Sequence, residues 1–291
     1  MSNKKSVLVT GGNGLLGRQL SSALVATNHD VFALVHRSPP NPIAGVNYCV
    51  VDLSTEWPET ELPSQIDAIV HLAQSAHFRE VPTKALDVFT VNVASTARLL
   101  DFAHRIGTKQ FLYASSGGVY GAGEKAFHEN SPINAPGHLG YYLGSKLSGE
   151  ILSQSYAAHM QIMVLRFFFI YGQMQNRAML LPRLVDSIKE GRNISLQGSE
   201  GLRINPIHVS DASQAVVAAL NTTESATYNI AGAEIYSLRA LCSKIETMVG
   251  RTGQYIQAPG TPLDVIGDIS AMRSRLHEPK VGIVDGLKEL I

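Results

Sequence analysis

Tyr142-Leu143-Gly144-Ser145-Lys146 places a phenol and an amine four residues apart, a spacing that stacks both on one face of an α-helix, about a turn from each other. An ammonium so placed favours the phenolate. With a cationic cofactor alongside, it would bring a tyrosine of ordinary pKa, about 10, toward neutral pH as a general acid/base. The pair alone occurs by chance in many helices, so its meaning depends on its neighbours. Upstream, Phe111-Leu112-Tyr113-Ala114-Ser115-Ser116-Gly117-Gly118-Val119-Tyr120-Gly121 reads as a buried strand that delivers hydroxyls and glycines at its carboxyl end, the edge where open α/β sheets bind ligands. Ser116 there can hydrogen-bond a reacting oxygen, with Gly117 beside it at the substrate; the plainer alternative is a serine that satisfies its own turn. Hydroxyl, phenol and ammonium together suit proton movement on an oxygen whose carbon exchanges a hydride.

A hydride needs a carrier, and Val7-Leu8-Val9-Thr10-Gly11-Gly12-Asn13-Gly14-Leu15-Leu16-Gly17 is built to hold one. The turn after an apolar strand must double back into a helix whose first N–H groups face a diphosphate. Side chains at Gly11 and Gly14 would collide with ligand or backbone, and one at Gly17 would push helix from strand, so Gly11, Gly14, Leu15 and Leu16 are expected at the cofactor. The flanking pattern supports a βαβ unit: apolar positions at helical spacing follow, and a second strand, Val31-Phe32-Ala33-Leu34-Val35, begins after Asn28-His29-Asp30. The end of that strand, Leu34-Val35-His36-Arg37-Ser38, lacks the acid that would bind the ribose 2′-hydroxyl of NAD. Arg37, with His36 or Arg18, can instead pair with a 2′-phosphate, which tilts the expectation from NAD toward NADP; a solvated loop arginine is the alternative, and both cofactors stay open.

These groups need a scaffold, and the chain alternates strand and helix signals as a parallel sheet with helices on both faces requires. Strands are expected at 6–10, 31–35, 46–51, 66–72, 110–115, 162–169 and near 227–230, and helices at 15–27, 82–105, 141–158, 178–190, 211–220 and 237–249. Pro82 sits near a helix start, Gly107 follows an end, Asp211 with Gln214 resembles a capping box, and Ser237 opens the helix that Gly250 closes. The fold class is therefore α/β, a Rossmann-type doubly wound parallel sheet. Residues 1–172 form the dinucleotide-binding domain, which also receives about 205–232. The Gly-, Pro- and polar-rich stretches loosen the alternation, so 173–204 and 233–291 are expected to build a smaller C-terminal substrate lobe.

Among 291 residues, 45% hydrophobic, the 24 basic and 24 acidic side chains cancel, which argues against nucleic acid or an anionic membrane as partner. Apolar runs such as Ile162 to Ile170, interrupted by Arg166, are far shorter than the roughly 20 residues a spanning helix needs. The first strand follows Met1 too closely for a secretory signal, so a cytoplasmic location is expected. Cys49 and Cys242, far apart, read as ordinary buried thiols, and no metal site is expected. No repeat or low-complexity tract is present.

The whole set resembles the extended short-chain dehydrogenase/reductases of the nucleotide-sugar epimerase/dehydratase group. The likeness rests on Thr10 to Gly17, Val51-Asp52-Leu53, Ile69-Val70-His71-Leu72-Ala73, Asn92, Ser115-Ser116 to Tyr120-Gly121, Tyr142 to Lys146 and Leu165-Arg166 to Tyr171-Gly172. It implies that Tyr142 is the acid/base, that Lys146 binds the nicotinamide ribose and tunes the phenol, and that Ser116 polarises the substrate hydroxyl or carbonyl. It also implies that Asp52 and Leu53 meet the adenine, that Leu72, Ala73 and Gln74 line the cofactor, that Phe168 approaches the nicotinamide, and that Asn92 orders the active-site helix at the cofactor. For Asp52 a strand-end turn residue is the alternative, and His71 is better read as a core histidine.

Where this chain departs from the family pattern, the reaction narrows. Relatives that eliminate water carry an Asp-Glu pair right after the active-site hydroxyl, whereas this chain has Gly117-Gly118, leaving epimerisation or net reduction or oxidation of one carbon. Relatives that bind a nucleotide diphosphate often carry asparagine where this chain has Phe169. Arg203 sits near their pyrophosphate-binding arginine with spacing shifted by one, and a surface salt bridge is its alternative. Apolar residues beyond one stripe on two helices, among them Leu86, Phe89, Val93, Leu147 and Ile151, suit a homodimer, the relatives' habit, or burial within a monomer. The expectation is thus an NAD(P)-dependent epimerase or reductase acting on a hydroxyl/keto carbon of a nucleotide-linked sugar. The rivals are a keto-reductase of a non-sugar small molecule and a non-catalytic cofactor-sensing regulator.

Overall fold

The computed structural model describes residues 4–134 and 136–291. Seven strands pair in parallel: β1 (Ser6–Thr10), β2 (Asp30–Val35), β3 (Val46–Val50), β4 (Ala68–His71), β5 (Gln110–Ser116), β6 (Gln161–Phe167) and, later in the chain, β11 (Ala226–Ile230). Their order across the sheet is β11-β6-β5-β4-β1-β2-β3, so the winding reverses between β1 and β4, and a crevice opens there at the carboxyl ends. Such strands read as continuous apolar runs because both faces are covered. In β1, Val7 and Val9 enter one core with α1 (Leu15–Ala26) and α6 (Val209–Ala219), while Leu8 enters the other with α3 (Ser95–Arg105).

The remaining elements build a third core beside the sheet. In it, Leu184, Val185 and Ile188 of α5 (Leu180–Glu190) meet Leu241 and Ile245 of α7 (Leu238–Val249), closed by Leu287 of α9 (Ile283–Lys288). A parallel pair, β8 (Asn193–Gln197) with β13 (Gln254–Ala258), edges this lobe. Short pairs join β7 (Ile170–Tyr171) to β10 (Ile207–His208) and β9 (Arg203–Ile204) to β12 (Tyr236–Ser237), with α8 (Ser270–Arg275) near β11.

Several local expectations need correction. The helix expected at 82–105 begins at α2 (Ala85–Phe89), three residues beyond Pro82, and passes through a π-helical turn, Thr90–Ala94, before α3. The helix expected at 141–158 is α4 (Pro136–Gln154), broken at Gly140, whose φ of 68° and ψ of 176° lie outside helical values. Asp211 and Gln214 do not cap α6. The cap is His208, whose ring accepts from Ser210 N, and Asp211 is drawn away to His277, 2.9 Å distant. Ser237 does cap α7, accepting from Ala240 N, and Gly250 closes it at φ 72°. Cys242 is buried, but Cys49 is only half-buried on β3. His71 is a core histidine between Thr10 Oγ1 (2.7 Å) and Thr96 Oγ1 (2.9 Å), and burial pushes its pKa down to about 3, so it is neutral.

One buried ion pair binds α4 to the sheet. Arg166 on β6 forks onto Glu150 of α4, Nε to Oε1 at 3.0 Å and Nη2 to Oε2 at 2.7 Å, and its Nη1 donates to the Tyr120 hydroxyl at 2.6 Å. Ser115 Oγ of β5 donates to the same carboxylate. Truncating one partner strands a buried charge, so Glu150→Ala should destabilise the protein by about 3–5 kcal/mol in urea unfolding. A loss under about 1 kcal/mol would show that the pair does not hold α4 in place.

Candidate active site

The glycine turn after β1 closes on itself: Gly14 N donates to Gly11 O at 2.8 Å, and Gly12 N to Leu34 O at 3.1 Å. Gly11 has φ 69°, and a Cβ there would lie 3.0 Å from Ala73 N. One on Gly17 would lie 2.2 Å from Gly11 O, an overlap no rotamer relieves. No side chain caps the first turn of α1, so its N–H groups remain for an anion.

Two cavities meet over this turn and share Gly11, Gly14, Leu72 and Gln74. One, of about 360 Å³, has Leu34, Val51 and Leu53 as apolar wall and His36 and Asp52 as polar edge. The other, of about 410 Å³, is lined by Leu15, Leu16, Ser116, Tyr142 and Lys146 from the sheet side and by Met179 and Leu181 from the smaller lobe. Together they form a trough with an uncapped helix end at its middle, an apolar slot at one end and the three reactive groups at the other. That arrangement fits a dinucleotide laid across the sheet edge.

At the reactive end each group has its own partner. Lys146 Nζ donates to Ala114 O at 2.9 Å, and burial pushes its pKa down to about 8. The Tyr142 hydroxyl donates to Gln74 Oε1 at 3.1 Å. Desolvation pushes it up to about 12 against the pull of the Arg79 guanidinium, and the Phe78 ring lies 4.8 Å from its own. Ser116 Oγ accepts from Gly118 N at 3.2 Å. Ser116, Tyr142 and Lys146 thus face one cavity without hydrogen-bonding one another.

The model of the NAD dependent epimerase/dehydratase family matches residues 7–231. The chain belongs to that family, a member of the extended short-chain dehydrogenase type. Among solved structures it is similar to a UDP-glucuronic acid 4-epimerase from Bacillus cereus in complex with UDP-glucuronic acid and NAD. That likeness has a TM-score of 0.86 and 26% identity, over 98% of this chain and 97% of that one. A UDP-glucuronate 4-epimerase of Thermodesulfobacterium geofontis is 25% identical over 78% of this chain and 72% of its own length. An uncharacterized UDP-glucose epimerase of Bacillus subtilis is 26% identical over 97% and 95%.

Other residues that the epimerase/dehydratase resemblance pointed to fall into two groups. Gly11, Gly14, Leu15, Leu16, His36, Asp52, Leu53, Leu72, Ala73 and Gln74 line the trough with Ser116, Tyr142 and Lys146. Phe168 does not: it is 1% exposed and packs under Gly117, where a Cβ would lie 2.3 Å from its ring, while its neighbours Phe167 and Phe169 reach the cavity. Gly117, pressed against that ring, lines neither cavity. Asn92, also buried, works one layer back, accepting from Ser75 N at 2.8 Å and donating to Ser145 Oγ at 2.9 Å, so it orders α4 without touching the trough. Arg37 lines neither cavity, although its carbonyl accepts from Asn13 Nδ2. Arg203 is taken by Asp264, with Nε to Oδ2 at 2.8 Å, and lines neither cavity. The sequence reading missed Phe78, Arg79, Gln175 and Met179, which come from an aperiodic loop after β4 and from the smaller lobe.

Lys146 offers a test independent of catalysis. Its folded pKa of about 8 lies below the ordinary lysine value near 10.5, so between those values the unfolded chain holds a proton that the folded chain has released, and stability rises with pH. Below about pH 8 the full cost of burying the charge remains, roughly 3 kcal/mol at 1.36 kcal/mol per pH unit. Lys146→Met should therefore gain stability relative to wild type at pH 7, with the difference shrinking by pH 9.5. Urea unfolding that shows a pH-independent difference would refute the buried, depressed ammonium.

Proposed function

We propose that the protein is an NAD-dependent epimerase acting on a hydroxyl/keto carbon of a nucleotide-linked sugar, with Tyr142 as acid/base, Ser116 as hydrogen-bond partner of the reacting oxygen and Lys146 at the nicotinamide ribose. One observation carries the reading: a single trough runs from the glycine turn to a hydroxyl, a phenol and an amine at its far end. When bound, the nicotinamide accepts and returns the hydride. The chain's own groups handle the proton. Tyr142, held high by desolvation and pulled down by the Arg79 guanidinium, would be brought further toward neutrality by the nicotinamide cation and the Lys146 ammonium on its helix face, and takes the proton of the substrate hydroxyl that Ser116 orients. No Asp or Glu is found among the residues lining the reactive cavity, so nothing there removes and delivers the second proton of a dehydration. In this reading 173–204 and 233–291 form the substrate lobe, which closes over the sugar.

NAD is favoured over NADP by the adenosine end. Among the described residues no Lys or Arg lines it, and the Asp52 carboxyl, held below its usual pKa by two hydrogen bonds from Ser54, adds a negative charge to that end, which disfavours a 2′-phosphate. The relative from Bacillus cereus was solved with NAD and UDP-glucuronic acid, which supports NAD and a UDP-sugar here. A homodimer through α2 and α4 would cover Leu86, 80% exposed, with Phe89 and Ile151.

The purified protein should release NAD, with little NADP, on acid denaturation, and should interconvert a UDP-sugar with its epimer without net change in absorbance at 340 nm, the NADH band, on the order of one cofactor per chain. Tyr142→Phe should lower kcat by roughly 10²–10⁴ while NAD stays bound. Full activity in that variant would remove the assigned acid/base. Stoichiometric NADPH oxidation by simple ketones would replace epimerisation with net reduction.

A further inference from the structure

Most arginines of this fold are matched. Arg166, Arg177, Arg203 and Arg239 each sit on a carboxylate. Arg79 is different. Its Nη1 donates to Ala178 O at 3.2 Å, its Nη2 lies 3.6 Å from Met179 Sδ, and its guanidinium carbon lies 5.1 Å from the centre of the Phe78 ring. All three partners are neutral. Among the described residues no carboxylate lies within ion-pair distance of it, and the cavity it lines holds a second cation, Lys146, and no acid. A cavity with two positive groups and no negative one is poised for an anionic ligand.

Position narrows which anion. Phe78, on which the guanidinium rests, packs beside the Tyr142 ring, so the charge stands at the end of the cavity where the reacting oxygen is handled, away from the glycine turn. The Arg79 side chain also reaches from the loop after β4 to the segment just before α5, touching both walls that enclose the sugar. A planar guanidinium in such a place matches a carboxylate with two parallel hydrogen bonds, and lysine would match it less well.

We propose that Arg79 is a specificity-determining residue that reads a carboxylate on the sugar ring next to the reacting carbon, so that the preferred substrate is a nucleotide-linked uronic acid. This inference rests on the nucleotide-sugar epimerase reading above. The substrate diphosphate is the other source of the same charge, and the test separates the two.

Binding of UDP-glucuronate and of UDP-glucose to the NAD-loaded full-length protein is measured by titration calorimetry, for wild type, Arg79→Gln and Arg79→Lys. The expected result is that wild type binds the uronate more tightly. Arg79→Gln should weaken the uronate roughly 10- to 100-fold while changing UDP-glucose less than about threefold, and Arg79→Lys should recover part of the loss. Arg79 is exposed, so far-ultraviolet circular dichroism and melting should match wild type. Equal weakening of both ligands would assign the guanidinium to the diphosphate and overturn the proposal; so would no weakening. If wild type binds and epimerises UDP-glucose but Arg79→Gln does not discriminate, only this inference falls. If wild type binds neither nucleotide sugar, the epimerase reading falls and takes this one with it.

Discussion

The buried contact between Glu150 and Arg166 is the constraint on which the site's geometry rests. α4 carries both Tyr142 and Lys146, and Glu150 lies one turn beyond Lys146 on the same face. By accepting from Arg166 of β6 and Ser115 of β5, that carboxylate sets where α4 sits along the sheet, one residue from Ser116. The ammonium of Lys146 is then aimed at Ala114 O, in the same strand. An ion pair this deep is no large net source of stability, because desolvating both charges offsets most of their attraction. Its contribution is registry, since a slid or rotated helix would leave two charges buried without partners.

A second layer of polar contacts extends that registry to the cofactor side. Asn92, in the π-helical turn, links the loop after β4 to α4 through Ser75 and Ser145, and His71 links the end of β1 to α3 through Thr10 and Thr96. The widened turn at Thr90–Ala94 offsets the helix there, and Asn92 lies within it. Around this frame the trough is electrostatically divided. The end walled by Leu34, Val51 and Leu53 holds the ionised Asp52, and the end with Tyr142 holds Lys146 and Arg79 with no acid among the described lining residues.

Much of this was legible in the chain. All seven strands of the central sheet lie within two residues of where they were expected, the inner ones because a parallel strand covered on both faces is apolar nearly throughout. The reach of the glycine turn and of Tyr142 and Lys146 was legible for the same reason: each is a statement about neighbours within a few residues. The cofactor preference was less legible. The missing acid after β2 pointed to NADP through Arg37, but the charge at that end of the trough comes from Asp52, after β3, and Arg37 lies outside it.

What the sequence determined alone is whatever steric or helical geometry enforces at short range: the turn that excludes a Cβ at Gly11 and Gly17, and the phenol and amine a turn apart. What the tertiary structure decided is which of several equivalent residues faces the site. Phe167, Phe168 and Phe169 look alike in sequence, yet Phe168 packs into the core under Gly117 while Phe167 and Phe169 reach the cavity. Arg203 and Asp264 meet across 61 positions and so remove one candidate anion site, while Arg79 crosses 99 positions to Ala178 and supplies another. Such pairings join residues far apart in the chain, and no local period in the sequence encodes them.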